Sequence, residues 1–381
     1  MTARIYLDYN ATTPLADEVA REMSRFLSEP FGNPSSLHWA GTPARDAIEK
    51  ARSQVAALLS CDATEVVFTS GGTESNNQVI KGLFFRRRAR NQPFHVITSR
   101  IEHPAVLEPC AFLAGLGAEI TYLPVDQHGL VDPEDVRRAI RPSTALVSIM
   151  HANNEVGTIQ PIEEIASIAH ENGALVHTDA AQTVGKIAVD VEAMGVNFLS
   201  VAGHKLYGPK GIGALFIREG AALEPLLHGA GHEAGRRAGT ENILEIIGLG
   251  VACELAHRCV GDDSLVALRD YFWESLRTSL GDQVALNGHP TRRLPNTLNV
   301  GFRGMTGLEL LAAMPNVAAS TGSACHAGNT HISPVLAAMG IAHDVAVGAV
   351  RFSLGRETTR RGVDSVVEQI VRVVERQLSV S

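Results

Sequence analysis

The sequence predicts an α/β fold in which a mostly parallel, seven-stranded sheet is covered by helices and joined to a smaller α+β domain. Two observations carry this prediction. From about residue 44 to about residue 255, short apolar runs alternate with amphipathic helical runs, the pattern of a parallel sheet wrapped by helices. Beyond residue 254 the alternation stops, and longer helical segments surround a strand.

The elements follow from the spacing of apolar residues. Ala44, Ile48, Ala51, Val55 and Leu58 recur at helical spacing and predict the first long helix. The strands are predicted at the short apolar runs 66–69, 95–98, 120–123, 145–150, 174–177, 198–201 and 212–217.

The last third of the chain predicts a helix over 264–280, a strand over 295–302 and a closing helix over 358–378. We therefore predict a large domain over 15–255 and a small domain formed by 1–14 and 256–381. With 381 residues the chain is long enough for two domains.

Composition narrows the function classes. The chain is 45% hydrophobic and 19% charged, with a formal net charge of −8, so no basic field attracts nucleic acid or an anionic membrane. Neither a signal peptide nor an apolar run of bilayer length is visible, which predicts a cytoplasmic location. The five cysteines lack metal-type spacing and predict reduced thiols rather than disulfides.

Lys205 is the most informative single residue, because it follows the apolar run 198–201 on a Gly-flanked turn beside His204. A lysine amine attacks an aldehyde only when it is partly neutral, which desolvation and neighbouring cations favour. The context therefore indicates a Schiff-base lysine, although a lysine after a strand is more often a surface residue.

Asp179 ends the run 174–179 and strengthens that interpretation. Pyridoxal phosphate needs an acid beside its pyridine nitrogen so that the ring can withdraw electrons. The alternative role for Asp179 is that of a helix N-cap.

A phosphate site is predicted where the strand 66–69 runs into Gly71, Gly72 and Thr73 at a helix start, since helix N-termini bind anions. No nucleotide-binding glycine motif competes for this role.

Ten ordered motifs then carry a family resemblance: YLDYNATTP (6–14), GNPSS (32–36), TSGGTESNN (69–77), EH (102–103), NNEVG (153–157), HTDAAQ (177–182), GHKLYGP (203–209), RRAGTEN (236–242), GSAC (322–325) and VRFSLGR (350–356). In these the chain resembles the NifS/IscS group of cysteine desulfurases, and the related selenocysteine lyases, of the class V aminotransferase family. The resemblance extends over essentially the whole chain and implies the type I fold of pyridoxal phosphate (PLP)-dependent transferases.

The resemblance implies a role for Cys325 as the sulfur-accepting nucleophile. This cysteine lies in a small, polar, Gly-containing stretch, which predicts a loop suited to collecting and delivering sulfur. His326 and His331 either favour the thiolate or are solvated loop histidines.

The resemblance also implies the remaining site residues. His103 would lie over the cofactor ring and move protons, Asn154 and Gln182 would bond the ring hydroxyl, and Asn154 would also contact the substrate. His204 and Thr73 would bind the phosphate, and Arg351 would bind the substrate carboxylate. Further implied ligands of the cofactor are Gly72, Asp179, Lys205 and Thr240, the last of these reaching the phosphate of the other subunit of a homodimer.

The implied reaction converts L-cysteine to L-alanine and leaves a persulfide on Cys325, from which sulfur passes to an acceptor such as an iron–sulfur scaffold or a sulfur carrier. No metal site is predicted. The sequence does not name the acceptor.

Two alternatives stay open. Ala202 stands where many bacterial desulfurases have a phosphate-binding serine, and selenocysteine lyases also tend to lack that serine. The segments 324–326 and 333–336 resemble those of the selenocysteine lyases too. Pro104, however, differs from the aspartate that the animal lyases have at this position. A selenocysteine lyase that releases selenide is therefore the second enzyme reading. A non-catalytic assembly scaffold is the third, and it would be colourless when purified.

Overall fold

The computed structural model describes residues 4–321 and 332–378. Within these residues the strands are β1 (Ile5–Tyr6), β2 (Val66–Thr69), β3 (His95–Ser99), β4 (Glu119–Leu123), β5 (Thr144–Ser148), β6 (Leu175–Asp179), β7 (Phe198–Ala202), β8 (Gly213–Ile217), β9 (Val284–Asn287), β10 (Thr297–Phe302), β11 (Val317–Ala318) and β12 (Ala349–Ser353).

The α-helices are α1 (Asp17–Arg25), α2 (Thr42–Leu59), α3 (Gly72–Arg88), α4 (Pro104–Ala114), α5 (Pro133–Ala139), α6 (Ile162–Glu171), α7 (Ile243–Cys259), α8 (Ser264–Leu280), α9 (Gly307–Ala312), α10 (Pro334–Ala338), α11 (His343–Val347) and α12 (Arg360–Leu378). None of the helices in the described ranges has the length and apolar character needed to cross a bilayer.

The large sheet has seven strands in the order β2-β8-β7-β6-β5-β3-β4. Its neighbours are parallel from β7 to β4, and β8 alone pairs antiparallel with both β7 and β2. Strands β5, β7 and β8 are buried along their whole length, as expected when helices cover both faces of a sheet. The predicted mostly parallel, seven-stranded α/β fold is confirmed.

The direction of the strands determines where the site lies. Because β2 and β7 are both antiparallel to β8, they run the same way as each other and as β6, β5 and β3. The carboxyl ends of these five strands therefore share one edge of the sheet, where α/β proteins place their ligands. Gly71, between β2 and α3, has a φ of 145°, a conformation that glycine adopts without strain.

A second core lies around the three-stranded antiparallel sheet β12-β10-β9, with helices α8 and α12 packed on it. The N-terminal arm joins this region, since β1 pairs in parallel with β11. Helix α7 crosses the predicted boundary at residue 255 and ends at Cys259. The division into 15–255 and the remainder stays a prediction.

Candidate active site

The carboxyl edge of the large sheet opens into a cavity of about 320 Å³. Nine of the residues predicted from sequence line it together: Gly72, Thr73, His103, Asn154, Asp179, Gln182, His204, Lys205 and Arg351. Two predicted residues are not among them. Thr240 is exposed and does not line this cavity, and Cys325 lies outside the described residues.

Lys205 sits on the short turn directly after β7, so its side chain reaches the edge where the strands end. Its Nζ donates to the carbonyl of Ala11, at 2.9 Å, and to that of Asn10. Burial and then the positive charge of Arg351 lower the pKa of Lys205 to about 8. A substantial fraction of the amine is therefore neutral near physiological pH, as a nucleophile toward an aldehyde requires.

Asp179, the last residue of β6, is 7% exposed and faces the same cavity. Its Oδ2 accepts a hydrogen bond from Asn76 Nδ2 at 2.6 Å, and its Oδ1 accepts from the backbone N–H of Ala181 at 3.0 Å. Both partners donate an N–H to the carboxylate, so they fix its orientation while its two oxygens act as acceptors.

The amino terminus of α3 forms another wall of the cavity. Gly72 and Thr73 begin this 17-residue helix, whose first backbone N–H groups have no partner within the helix and favour an anion. Ala202 lines the cavity beside them, and its methyl group offers no hydrogen bond. His204 faces the hydroxyl of Thr12, with 3.2 Å between Nδ1 and Oγ1. Burial, followed by the charge of Lys205, lowers the pKa of His204 to about 4.

His103 is the N-cap of α4, and its Nδ1 accepts a hydrogen bond from the N–H of Ala105 at 3.0 Å. Burial lowers its pKa; the negative charge of Asp179 raises it and the charge of Lys205 lowers it further. In the neutral ring the proton is then on Nε2, because Nδ1 is already an acceptor.

Arg351, on β12, is 6% exposed and connects the small sheet to the cavity. Its Nη1 donates to the carbonyl of Asn154 and its Nη2 donates to Asp8 Oδ1, each at 2.8 Å. Within the described part of the chain its buried Nε has no hydrogen-bond partner. Because Arg351 lines the cavity, its guanidinium places a positive charge and N–H donors where a ligand carboxylate would bind.

Asn10 joins the N-terminal arm to both sides of the site. Its carbonyl accepts from Lys205 and, at 3.0 Å, from Gln182 Nε2. Its side-chain Oδ1 accepts from Lys186 Nζ at 2.8 Å, and its Nδ2 donates to Thr297 Oγ1 at 2.8 Å. This single residue thus ties Lys205, at the edge of the seven-stranded sheet, to the three-stranded sheet.

Three polar residues in or beside the cavity have no role in the sequence-based predictions: Asn10 and Asn76, which line it, and Lys186, which lies next to it. Asn10 and Asn76 lie inside motifs that carry the family resemblance, at 6–14 and 69–77, so the sequence marked both positions as part of the family pattern. Their partners were not, because each contact joins segments more than a hundred residues apart or depends on the strand order.

No group of three or more metal-ligating side chains converges anywhere in residues 4–321 or 332–378. The donors of the cavity are instead an amine, a guanidinium, imidazoles, amides and one carboxylate. That set suits an anionic organic cofactor and an amino-acid substrate better than a metal ion.

Comparison with known proteins decides the family. The model of the family described as Aminotransferase class-V matches residues 5–366. The chain belongs to the class-V aminotransferase family. A cysteine desulfurase IscS of Dictyoglomus turgidum is 48% identical over 100% of this chain and 97% of its own length. A second, from Methanosarcina thermophila, is 47% identical over 99% of this chain and 93% of its own.

Solved structures agree. A NifS-like protein has a TM-score of 0.91 at 37% identity and covers 98% of this chain and 99% of its own. A structure titled SspA in complex with cysteine has a TM-score of 0.81 at 39% identity, covering 92% and 98%. The resemblance to cysteine desulfurases and the PLP-transferase type of fold are therefore confirmed.

Proposed function

We propose that the protein is a PLP-dependent cysteine desulfurase, which converts L-cysteine to L-alanine and carries the sulfur as a persulfide on Cys325. The observation that carries the proposal is the placement of Lys205 and Asp179 in one cavity at the amino terminus of α3. The full-length identity to proteins named cysteine desulfurase supports it.

The residues of the cavity fit pyridoxal phosphate. The helix terminus at Gly72 and Thr73, with His204, would hold the phosphate, and Asp179 would hold the ring nitrogen. Gln182 and Asn154 would bond the ring hydroxyl. When bound, the cofactor supplies an aldehyde that condenses with an amine and a ring that accepts electrons from the carbon bearing that amine.

The chain's own residues supply binding, proton transfer and sulfur capture. Arg351, which lines the cavity, would fix the substrate carboxylate through its guanidinium and so orient the amino acid. Lys205, with its lowered pKa, would take the proton from the α-carbon, and His103 would also move protons. Cys325 as thiolate would attack the substrate sulfur: a new S–S bond forms and the C–S bond breaks, with its electrons returned to the carbon fragment.

The decisive experiment measures alanine released from L-cysteine and from L-selenocysteine. We expect wild-type protein to turn over cysteine, and mass spectrometry to find one extra sulfur on the Cys325 peptide. Cys325→Ser should retain cofactor binding and lose cysteine turnover, whereas Cys259→Ser, at an exposed free cysteine, should behave as wild type.

Each other outcome identifies an alternative. Selenide release with little turnover of cysteine would assign a selenocysteine lyase. A colourless protein that binds no cofactor would assign a non-catalytic scaffold. Full cysteine activity in Cys325→Ser would remove the proposed sulfur acceptor.

The lysine assignment has its own test. The purified protein should be yellow, and borohydride should trap the cofactor on the peptide that contains Lys205. Lys205→Ala should lose both the colour and the adduct, because only a lysine side chain forms this bond with an aldehyde. An unchanged adduct in the variant would assign the role to another lysine.

We also propose a homodimer in which Thr240 of one subunit reaches the phosphate held by its partner. The exposure of Thr240, outside the cavity of its own chain, supports this. Mixing inactive Lys205→Ala with inactive Thr240→Glu chains should restore about a quarter of wild-type activity, since half the dimers then contain one intact site of two. No recovery after verified subunit exchange would contradict shared sites. Cysteine and a sulfur-accepting protein are the other proposed partners.

A further inference from the structure

A second lysine lies behind one wall of the proposed cofactor cavity. Lys186 Nζ donates to Gln182 Oε1 at 2.7 Å and to Asn10 Oδ1 at 2.8 Å. It does not line the cavity of about 320 Å³; it lies with Lys205 along a neighbouring cavity of about 250 Å³. Among the described residues no carboxylate oxygen lies within 4.0 Å of its amine, so its partners are these two amide oxygens.

The partners of Gln182 leave its amide one orientation. The backbone carbonyl of Asn10 can only accept, so it favours the amide nitrogen at this end, where the contact is 3.0 Å, but it also accepts from Lys205 and does not hold the amide alone. The amide oxygen then faces Lys186, which donates. A flipped amide would place oxygen against the Asn10 carbonyl and NH₂ against an amine that is already donating.

Asn10 is fixed in the same way, which secures the lysine. Its Oδ1 accepts from Asn296 Nδ2 at 3.0 Å as well as from Lys186, while its Nδ2 donates to Thr297 Oγ1 and to the carbonyl of Asn154. Lys186 is therefore a donor to both amides, and it holds the two together from the side away from the cavity.

Gln182 is left with one N–H to offer inside the cavity. One hydrogen of its NH₂ group serves the Asn10 carbonyl, and the other has no partner among the hydrogen bonds of the described residues. An N–H donor stabilises the deprotonated, negatively charged form of a ring hydroxyl, whereas an amide oxygen would favour the protonated form.

We propose that Lys186 is a positioning residue that holds Gln182 so that its amide N–H, and not its oxygen, is presented to the ring hydroxyl of the cofactor. This rests on the proposed function. Lys186 itself touches neither cofactor nor substrate, and it acts through Gln182.

The test follows the pH midpoint of the colour change of bound pyridoxal phosphate, together with the dissociation constant of the cofactor. In Lys186→Met the amide loses the contact that fixes its oxygen, so the midpoint should rise by roughly one unit and cofactor binding should weaken by up to about tenfold. Lys186→Arg, which keeps donors, should recover most of both. Lys50→Met, at an exposed lysine on α2, is the matched control.

A double variant separates positioning from other effects. If Lys186 acts through Gln182, then Gln182→Leu shifts the midpoint by itself, and adding Lys186→Met to it shifts the midpoint no further. Equal shifts of Lys186→Met in both backgrounds would overturn the proposal, as would an unshifted midpoint in Lys186→Met alone. Lys186→Ser, which is too short to reach Gln182, provides the same comparison if the Met variant does not fold.

These outcomes are distinct from failure of the proposed function. A wild-type protein that binds no pyridoxal phosphate would overturn the proposed function, and the midpoint comparison would then fail with it. Normal binding in the wild type, with Lys186 variants that match it, would overturn only the positioning role.

Discussion

Two buried arginines of this protein, Arg52 and Arg351, each pair with a carboxylate. They differ in how many of their nitrogens have a hydrogen-bond partner. Arg52, on α2, makes a bidentate pair with Glu233 at 2.7 and 2.9 Å, and its Nε contacts Glu49 at 3.2 Å. Arg351, in the cavity, pairs with Asp8 through one nitrogen and keeps an unpartnered Nε in the described structure.

The difference separates a structural guanidinium from one that lines the cavity of the proposed active site. Every nitrogen of Arg52 donates to a carboxylate or to a backbone carbonyl. Its carboxylate partner belongs to a stretch with consecutive positive φ angles, 48° at Glu233, 56° at Ala234 and 79° at Gly235, and the first two are non-glycine residues that adopt this conformation at a cost. The buried pair holds this loop, which continues to Thr240, against the start of the large sheet.

The largest expected effect is on the stability of the protein, at Arg52. Arg52→Met leaves the Glu233 carboxylate buried with the N–H of Phe68 as its remaining donor, and should lower the free energy of unfolding by about 3–5 kcal/mol in urea titrations. Adding Glu233→Gln should recover much of the loss. Arg25→Ala, in an exposed pair with Glu22, should cost less than about 1 kcal/mol, and an equal loss there would contradict the distinction.

A smaller effect is expected on substrate binding, at Arg351. Arg351→Lys keeps the charge and loses the planar fork, so kcat/KM for cysteine should fall roughly a hundredfold, mainly through KM. Its stability should change little, because the Asp8 side chain is 21% exposed and can be hydrated. A loss of stability with unchanged KM would show that Arg351 is structural, like Arg52.

The smallest effect concerns pH. Cofactor capture needs a neutral Lys205, so its rate in cofactor-free protein should rise with pH around a midpoint near 8. The charge of Arg351 is the second cause, after burial, of that lowered pKa, so Arg351→Gln should move the midpoint upward by roughly one unit. Arg277→Gln, at an exposed arginine, is the control, and stopped-flow absorbance gives the rates. An unmoved midpoint in Arg351→Gln would show that the charge of Arg351 does not lower the pKa of Lys205.

Much of the fold and many of the site residues were accessible from local pattern. The apolar runs that became β2, β3, β5, β6, β7 and β8 were predicted to within one or two residues at most ends, because buried strands are short and rich in apolar residues. Lys205, Asp179 and the Gly71-Gly72 turn were found because each stands where a strand ends, a position that sequence shows directly.

What the sequence by itself determined is therefore which side chains stand at strand ends and helix starts, and with them the family. Tertiary structure alone decided their partners: Asn76 against Asp179, Lys186 against Asn10, and Arg52 against Glu233, over separations of 103, 176 and 181 residues. The physical reason is that local patterns encode which residues are buried and how the backbone turns. Which distant polar groups meet depends on the strand order and on the docking of the N-terminal arm, which no local pattern specifies.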